Sequence, residues 1–200
     1  MEKFALKIPT IEDKVKAIEF IGEFLLANSG INGTGSLDSY LEKKSYEEWL
    51  KKLEVDRSTK ANEERVPSVT YFFVRLSDDK IVGMVNIRLA LNKRLREESG
   101  HLGFCIRPTE RKKGYNKINL YFALEVCKEH NIDEVLMTCD KENPASGKTI
   151  EALGGKLEKE ACLYGSEITQ FYKLDVEASI NANKSRYDKF KAGQSAIPTK

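Results

Sequence analysis

The chain has 200 residues, of which 40% are hydrophobic and 32% charged, and its formal net charge is +2. This length supports one domain with its own hydrophobic core, and the composition excludes a disordered or collagen-like chain. The near balance of acidic and basic residues argues against nucleic acid or an anionic membrane as the main partner. Any basic binding site must therefore be local.

The four cysteines lie far apart without a CxxC pair, and the chain contains only two histidines. This spacing predicts neither a zinc site nor a disulfide framework, so we expect reduced thiols and no metal. No segment approaches the roughly 20 apolar residues of a membrane span, and the N-terminal segment does not resemble a signal peptide. We therefore expect a cytoplasmic protein with no membrane partner.

The N-terminal part predicts a short strand over 3–9 and then two helices. The first helix, over 11–27, has apolar residues three and four positions apart. Its predicted buried face consists of Val15, Ile18, Gly22 and Leu25. The second helix is predicted over 38–55 and is capped by Asp38 or Ser39. Its predicted buried residues are Leu41, Trp49, Leu50 and Leu53.

A hairpin and an alternating region follow. The segments 69–76 and 80–91 flank a polar turn and predict two antiparallel strands. The elements predicted after them are strand 101–106, helix 116–130, strand 135–139, helix 144–153 and strands 156–162 and 168–176. This order indicates a βαβ unit within a larger sheet. The segment 177–200 lacks clear periodicity and receives no predicted structure.

A basic loop connects the strand at 101–106 to the following helix. Pro108 ends the strand, and Gly114 lies just before the helix, where glycine permits a positive φ or the close approach of a ligand. Residues 107–117 include five basic side chains and one carboxylate. Free N–H groups at a helix N-terminus, together with these cations, favour a phosphate group. An ordinary solvated connection is the alternative.

Longer motifs make the pattern more specific. The segment FCIRPTERKKGYN, its amphipathic helix, the strand VLMTC and the segment NPASGKTIEALGGKLEKE together resemble the GNAT superfamily of N-acetyltransferases, whose signature is R/Q-x-x-G-x-G/A. The resemblance covers 67–175 well, the N-terminal helices more loosely, and is close to a bacterial branch of predicted acetyltransferases. It implies an α/β (α+β) fold, with a mixed, mostly antiparallel sheet, a central βαβ core that binds acetyl-CoA, and helices on both faces.

The resemblance also implies where acetyl-CoA binds. The pantetheine would lie between the strands at 101–106 and 135–139, bonded to the backbone of Phe104, Cys105 and Ile106. The residues that would bind the pyrophosphate, chiefly through main-chain N–H groups, are Arg111, Lys112, Lys113, Gly114, Tyr115 and Asn116. Asn143 matches an asparagine that contacts the cofactor, with Ser146 near it. A plain helix cap is the alternative role of Asn143.

Two residues depart from the family pattern. Asn116 stands where glycine or alanine is usual, which asparagine tolerates because it adopts unusual backbone angles. Ile150 stands where the family commonly has the tyrosine that protonates the departing CoA thiolate, and isoleucine has no proton to donate. Water or another donor must then act, and the candidates are Ser146, Cys139, Tyr164 and Tyr172. Packing is the alternative role of each candidate.

His101 is the candidate catalytic base, because it begins the cofactor-binding strand and histidine titrates near neutral pH. An ordinary hydrogen-bonded histidine is one alternative, and Glu97 or Glu98 acting through water is another. The segment 32–37 lies where the family builds the acceptor pocket. It either shapes substrate entry or is a simple connection between helices.

These observations predict one domain over 1–176 and a tail over 177–200 of uncertain structure. The predicted function is direct transfer of an acetyl group from acetyl-CoA to a primary amine of a small molecule, peptide or protein. The missing tyrosine motivates an alternative, a catalytically weak CoA-binding sensor or scaffold. A dinucleotide-binding domain is disfavoured because the loop lacks GxGxxG. A homodimer is the expected assembly on general frequency.

Overall fold

The computed structural model describes residues 1–163, 165 and 167–192, so the candidate Tyr164 lies outside the described residues. The helices are α1 (Lys14–Leu26), α2 (Leu37–Lys43), α3 (Tyr46–Ser58), α4 (Lys93–Glu98), α5 (Tyr115–Glu129), α6 (Pro144–Ala152) and α7 (Val176–Tyr187). The strands are β1 (Phe4–Lys7), β2 (Ser68–Arg75), β3 (Lys80–Arg88), β4 (Leu102–Ile106), β5 (Glu134–Asp140), β6 (Lys156–Cys162) and β7 (Ile168–Asp175). The bounds of the strands and of α5 and α6 lie close to the predicted ones, whereas the N-terminal helices differ and neither α4, in a segment expected to be a charged loop, nor α7 was predicted.

The strands form two antiparallel sheets. Strands β1 to β4 make the first sheet in chain order, and the second has the order β5-β7-β6. A single bridge between Gly100 and Met137 connects β5 to the segment that leads into β4. Elsewhere in the described chain, the facing edges of β4 and β5 have no ladder partner. With β4–α5–β5 at its centre and helices on both faces, the predicted fold is confirmed.

Hydrophobic side chains cover both faces of the first sheet. On one face, Val85 and Ile87 of β3 belong to a cluster with residues of α5 and α7. On the other face, Met84 packs with aromatic residues of α1 and α3. Strand alternation produces this division, because successive side chains point to opposite faces. The β4–β5 gap therefore lies between two helix layers.

The predicted buried face of the first helix is wrong. Val15 and Leu25 are 67% and 75% exposed, whereas Phe20 and Phe24 are buried against the sheet. Two apolar stripes run along this helix, and the spacing of the residues does not show which of them is buried. The aromatic stripe lies inside because its rings bury more apolar area than valine or leucine.

The predicted second helix is two helices. Helix α2 ends at Lys43, and α3 begins after Ser45, whose hydroxyl accepts a hydrogen bond from the Glu48 N–H at 3.2 Å. Serine favours this N-cap position because its side chain satisfies a first-turn donor. The predicted cap is also wrong, because α2 begins at Leu37 with Ser36 as its N-cap, and Asp38 and Ser39 lie inside the helix. Among the predicted core residues, Trp49 and Leu53 are buried, and Leu41 and Leu50 pack at the edge of the core.

The segment without predicted structure contains α7. Asp175 caps this helix by accepting a hydrogen bond from the Ala178 N–H at 2.8 Å, and Val176, Ile180 and Tyr187 are buried against the main core. Buried polar residues such as Asn183 obscure the apolar period of this helix. None of the helices within the described ranges has the length and apolar content that crossing a membrane requires.

Candidate active site

The gap between β4 and β5 exposes backbone groups of β4. His101 accepts a hydrogen bond from the Arg88 N–H at 2.8 Å, and the Arg107 N–H donates to Val82 at 2.9 Å. Between these two bonds to β3, strand alternation turns the peptide groups of Phe104 and Ile106 towards the gap and that of Cys105 towards β3. Phe104 and Ile106, but not Cys105, thus fit the predicted backbone contact with pantetheine.

The loop after β4 leads directly to the N-terminus of α5. Gly114 is the N-cap of this helix, with a φ of +80°. A Cβ atom at Gly114 would meet nothing within 4 Å. Open space therefore adjoins the first turn of α5, where the Lys117 N–H donates to the Gly114 carbonyl at 3.2 Å and the N–H groups of Tyr115 and Asn116 have no acceptor within the helix. This geometry fits a phosphate group bound by the main chain.

Lys113 does not point into this space. Its Nζ bonds to a carboxylate oxygen of Glu110 at 2.8 Å, and Glu110 also accepts hydrogen bonds from Arg75 at 3.0 Å and Lys80 at 3.1 Å. Burial by itself raises the pKa of Glu110, but the hydrogen bonds from Lys113, Lys80 and Arg75 outweigh it and lower the pKa to about 2. Glu110 remains ionised and anchors the loop.

Two other predicted phosphate ligands also have structural partners. Arg111 donates from Nε to the Ile106 carbonyl at 3.1 Å and from Nη2 to Ser29 at 2.8 Å. Tyr115 packs its ring on Phe4 and donates its hydroxyl hydrogen to Glu2. Their side chains hold the loop to the rest of the domain. Any anion-binding role of Arg111 and Tyr115 would thus fall to the backbone.

Lys112 and Asn116 complete the predicted loop. Lys112 has a φ of +63° and an exposed side chain, which leaves its ammonium group available to an anion. The Oδ1 atom of Asn116 is buried and has no hydrogen-bond partner among the described residues. This carboxamide occupies the position where the resemblance expects glycine or alanine. The structure thus brings together an open helix N-terminus and the available ammonium group of Lys112.

Asn143 caps α6. Its Oδ1 accepts a hydrogen bond from the Ser146 N–H at 3.3 Å, and Pro144 occupies the first helical position. The alternative role given to Asn143 by the sequence, a helix cap, is therefore present. A cofactor contact by Asn143 or Ser146 stays a prediction.

His101 joins the two sheets. The backbone N–H of His101 donates to the Leu136 carbonyl at 2.7 Å, and its ring Nδ1 accepts a hydrogen bond from the Leu136 backbone N–H at 3.0 Å. Burial and the nearby charge of Arg96 lower the pKa of His101 to about 4. The neutral ring thus carries its proton on Nε2 and uses its lone pair on Nδ1. This geometry favours the alternative of a structural histidine, and the role of base stays a prediction.

A pair of variants separates these roles of His101. Asparagine can place an acceptor oxygen near Nδ1, so we expect His101→Asn to retain stability and turnover, and His101→Ala to lose about 1–3 kcal/mol in urea unfolding at pH 7. If both variants fold and bind CoA normally yet lose turnover, the histidine is the base and the structural interpretation is wrong.

The same residue predicts a pH dependence. Because the folded pKa of about 4 lies below the usual 6.5, the unfolded chain binds the proton first. The stabilisation is complete above pH 6.5 and is lost as pH falls to about 4, by about 3 kcal/mol. We expect unfolding of His101→Asn to lack this component.

The candidate proton donors Tyr172 and Cys139 lie close to Gly147 of α6. Tyr172 donates its hydroxyl hydrogen to Gln170 Oε1 at 3.0 Å, and Cys139 Sγ lies 3.9 Å from the same oxygen. Burial raises the pKa of Tyr172 to about 12 and that of Cys139 to about 11, so both carry protons near neutral pH. Ile150 is fully buried. Ser146, the other hydroxyl candidate among the described residues, lies in the first turn of α6, and its role as a donor stays a prediction.

The 32–37 segment lies against the middle of β4. A Cβ atom on Gly33, whose φ is +72°, would lie 2.2 Å from the Gly103 carbonyl oxygen and 2.5 Å from the Phe104 nitrogen. Only glycine permits this approach, which fixes the segment beside the β4 backbone. This segment therefore borders the gap on the face covered by α1–α3, where an acceptor would approach β4.

Neither Glu110 nor Gly103 was predicted from the sequence to form the site, and Gly33 was predicted only as part of the segment 32–37. Glu110 is the one carboxylate in the basic loop, and a single carboxylate among several cations could have predicted an ion pair that holds the loop. The contact between Gly33 and Gly103 joins residues far apart in the chain, and no local pattern predicts it. Within the described residues, no group of three or more His, Cys, Asp or Glu is arranged to hold a metal ion.

The family model of the acetyltransferase (GNAT) domain matches residues 34–156, more than half of the chain. The chain therefore belongs to the GNAT family of acetyltransferases, and by class it is an acyltransferase. A search of curated proteins found no match.

Solved structures share the fold at low identity. Ribosomal-protein-S5-alanine acetyltransferase from Vibrio fischeri is 16% identical with a TM-score of 0.64, over 96% of this chain and 97% of that one. RimJ of Mycobacterium smegmatis, in complex with CoA-disulfide, is 12% identical with a TM-score of 0.67, over 90% and 89%. Dodecameric spermidine N-acetyltransferase from Vibrio cholerae is 15% identical with a TM-score of 0.60, over 92% and 99%. These likenesses establish the fold and leave the substrate open.

Proposed function

We propose that the chain transfers an acetyl group from acetyl-CoA to a primary amine. One observation carries this proposal: the unpaired edge of β4 at Phe104 leads directly into the open N-terminus of α5 at Gly114. An extended arm with amide groups can form hydrogen bonds along the edge of β4, and a pyrophosphate can bind at the N-terminus of α5. The CoA-disulfide in one structural neighbour is consistent with this assignment.

The residues present fit the cofactor through their backbone. The peptide groups of Phe104 would bind the pantetheine arm, and the N–H groups from Gly114 to Asn116, with Lys112, would bind the phosphates. Acetyl-CoA supplies the acetyl group as an activated thioester. The hydroxyl of Tyr172 is protonated near neutral pH, and it is the proposed proton donor because Ile150 stands at the position of the family's usual tyrosine. Glu97 and Glu98, at the end of α4, are the proposed acceptors of the amine proton through water.

Neighbours with this fold differ in the amine that their names specify. One is named for spermidine and another for an alanine of ribosomal protein S5. Both acceptors carry primary amines, which supports the proposed reaction class. The cytoplasmic location, the single-domain organisation and the homodimer remain predictions from the sequence.

A CoA-binding sensor is the second candidate function. The fully buried Ile150 favours it, because the usual tyrosine position faces the core and offers no proton donor. Such a protein would retain the cofactor site without efficient turnover.

A thiol-release assay distinguishes the two functions. Acetyl-CoA would be offered with a panel of amines (polyamines, free amino acids and N-terminal peptides), and acetylated products would be identified by mass. We expect thermal stabilisation by CoA and acetyl-CoA but not by NAD, together with release of thiol for at least one amine. Binding without thiol release for any acceptor would indicate the sensor. No binding of CoA would reject both functions.

A further inference from the structure

A polar row runs across one end of the first sheet, on the face covered by α1–α3. Asn86 donates from Nδ2 to Thr70 Oγ1 at 3.0 Å and to Ser68 Oγ at 3.4 Å. Arg88, two residues beyond Asn86 on β3, lies on the same face and pairs with Ser68 across the strands. Met84 continues this face into the apolar core. The polar end of the face adjoins the start of β4.

Arg88 is the charged member of this row, and it lacks a counter-ion in the part of the chain that the structure describes. Its Nη1 donates to the Gly100 carbonyl at 2.9 Å, and its side chain is partly buried. Among the described residues, no carboxylate oxygen lies within 4 Å of its guanidinium group. Burial of the guanidinium group, and to a lesser extent the nearby charge of Arg94, lower the pKa of Arg88. A partly buried cation without a counter-ion costs free energy that a bound anion would recover.

The position of Arg88 relates it to the proposed reaction. The phosphate-binding loop follows the C-terminal end of β4, whereas Arg88 contacts Gly100 and His101, which precede Leu102 at the N-terminal end. A five-residue strand separates these ends by about 17 Å. A pantetheine arm bound along this edge would bring its thioester end towards Arg88. Gly33, packed on Gly103, borders the same region.

We infer that the amine acceptor carries a carboxylate, and that Arg88 binds this group at the N-terminal end of β4. The guanidinium fork can form two parallel hydrogen bonds to a carboxylate. A polyamine offers only positive charge and gives Arg88 no anion to bind. This inference rests on the proposed function. The carboxylate belongs either to a free amino acid or to an acidic side chain near the N-terminus of a peptide.

Acceptor pairs that differ in one group test the inference. Alanine against alaninamide represents the free amino acid, and peptides that begin Ala-Asp against Ala-Asn represent the peptide source. We expect the carboxylate member of at least one pair to have a kcat/KM at least about tenfold higher, and spermidine to be a poorer acceptor. Equal values within both pairs, or a preference for the neutral members, would overturn the inference.

Substitution of Arg88 assigns the preference to this residue. In Arg88→Met the tenfold preference should disappear while the KM for acetyl-CoA stays unchanged, and Arg88→Lys should retain part of the preference. Arg186→Met, which removes an exposed arginine on α7, is the matched control and should keep the preference. Persistence of the preference in Arg88→Met would contradict the inference.

Two further measurements separate a binding role from a structural one and from failure of the proposed function. The unfolding midpoint of Arg88→Met should lie within about 2 °C of the wild type or above it; a larger fall would indicate a structural arginine. Calorimetry with CoA present compares N-acetylalanine and N-acetylalaninamide without turnover. If N-acetylalanine binds better than N-acetylalaninamide and Arg88→Met abolishes this difference, the anion site is supported even if no amine is acetylated. If neither the kinetics nor the calorimetry shows a preference for the carboxylate, the site is rejected.

Discussion

Replacement of Gly114 by glutamate is expected to weaken acetyl-CoA binding about 100-fold or more, equivalent to about 2.7 kcal/mol. The side chain would extend into the open space beside the first turn of α5, where the phosphates are proposed to bind. It would both fill this space and place a negative charge next to another. Calorimetric titration with CoA measures the loss, and Gly114→Gln, with the same size and no charge, separates the two effects.

Gly154→Glu is the matched control for backbone strain. Gly154 follows α6 with a φ of +91°, and a Cβ atom there would also meet nothing within 4 Å. Each glutamate should therefore cost about 1–2 kcal/mol of stability for a side chain at positive φ. Only the variant at 114 should lose CoA affinity. Unchanged affinity in Gly114→Glu would reject the proposed phosphate site, and equal losses in both variants would indicate a general effect of destabilisation.

Glu110→Gln is expected to lower the free energy of unfolding by about 3 kcal/mol at pH 7. The Glu110 side chain is 5% exposed and lies within hydrogen-bond distance of Arg75, Lys80 and Lys113. The amide would remove the counter-ion of Lys80 and Lys113, whereas Arg75 would keep its ion pair with Asp78, and it would break the anchor of the basic loop. Urea unfolding measures the change. Glu177→Gln removes a carboxylate that is 71% exposed and should change stability by less than about 0.5 kcal/mol.

The effect of Glu110 should depend on pH. The folded pKa of about 2 lies below the usual 4.5, so the unfolded chain takes up the proton first. The stabilisation is complete above pH 4.5 and decreases as pH falls towards 2. The difference between wild type and Glu110→Gln should therefore shrink over this interval. A constant difference across the interval would show that packing, and not charge, accounts for the loss.

Local patterns predicted most of the elements. The hairpin of β2 and β3 and the order β4–α5–β5 followed from alternation, helical spacing and turn residues. The loop with Gly114 was identified from its proline, glycine and charges, all within a few residues of each other. The predictions failed on α1, where two apolar stripes compete for the buried face. They also failed on α7, where buried polar residues obscure the apolar period.

The sequence by itself determined the class of fold and the family, and it predicted the segment proposed to face the cofactor, because each depends on residues close together in the chain. The tertiary structure decided what each charged side chain does. Lys113 and Arg111 look equivalent to Lys112 in the sequence, yet Glu110 and Ser29 hold the first two and leave the third exposed. Likewise, Arg88 shows no special pattern in the chain, and its lack of a counter-ion depends on which residues surround it. Contacts between side chains set these roles, some of them between distant residues such as Arg111 and Ser29, and hydrophobic periodicity carries no information about them.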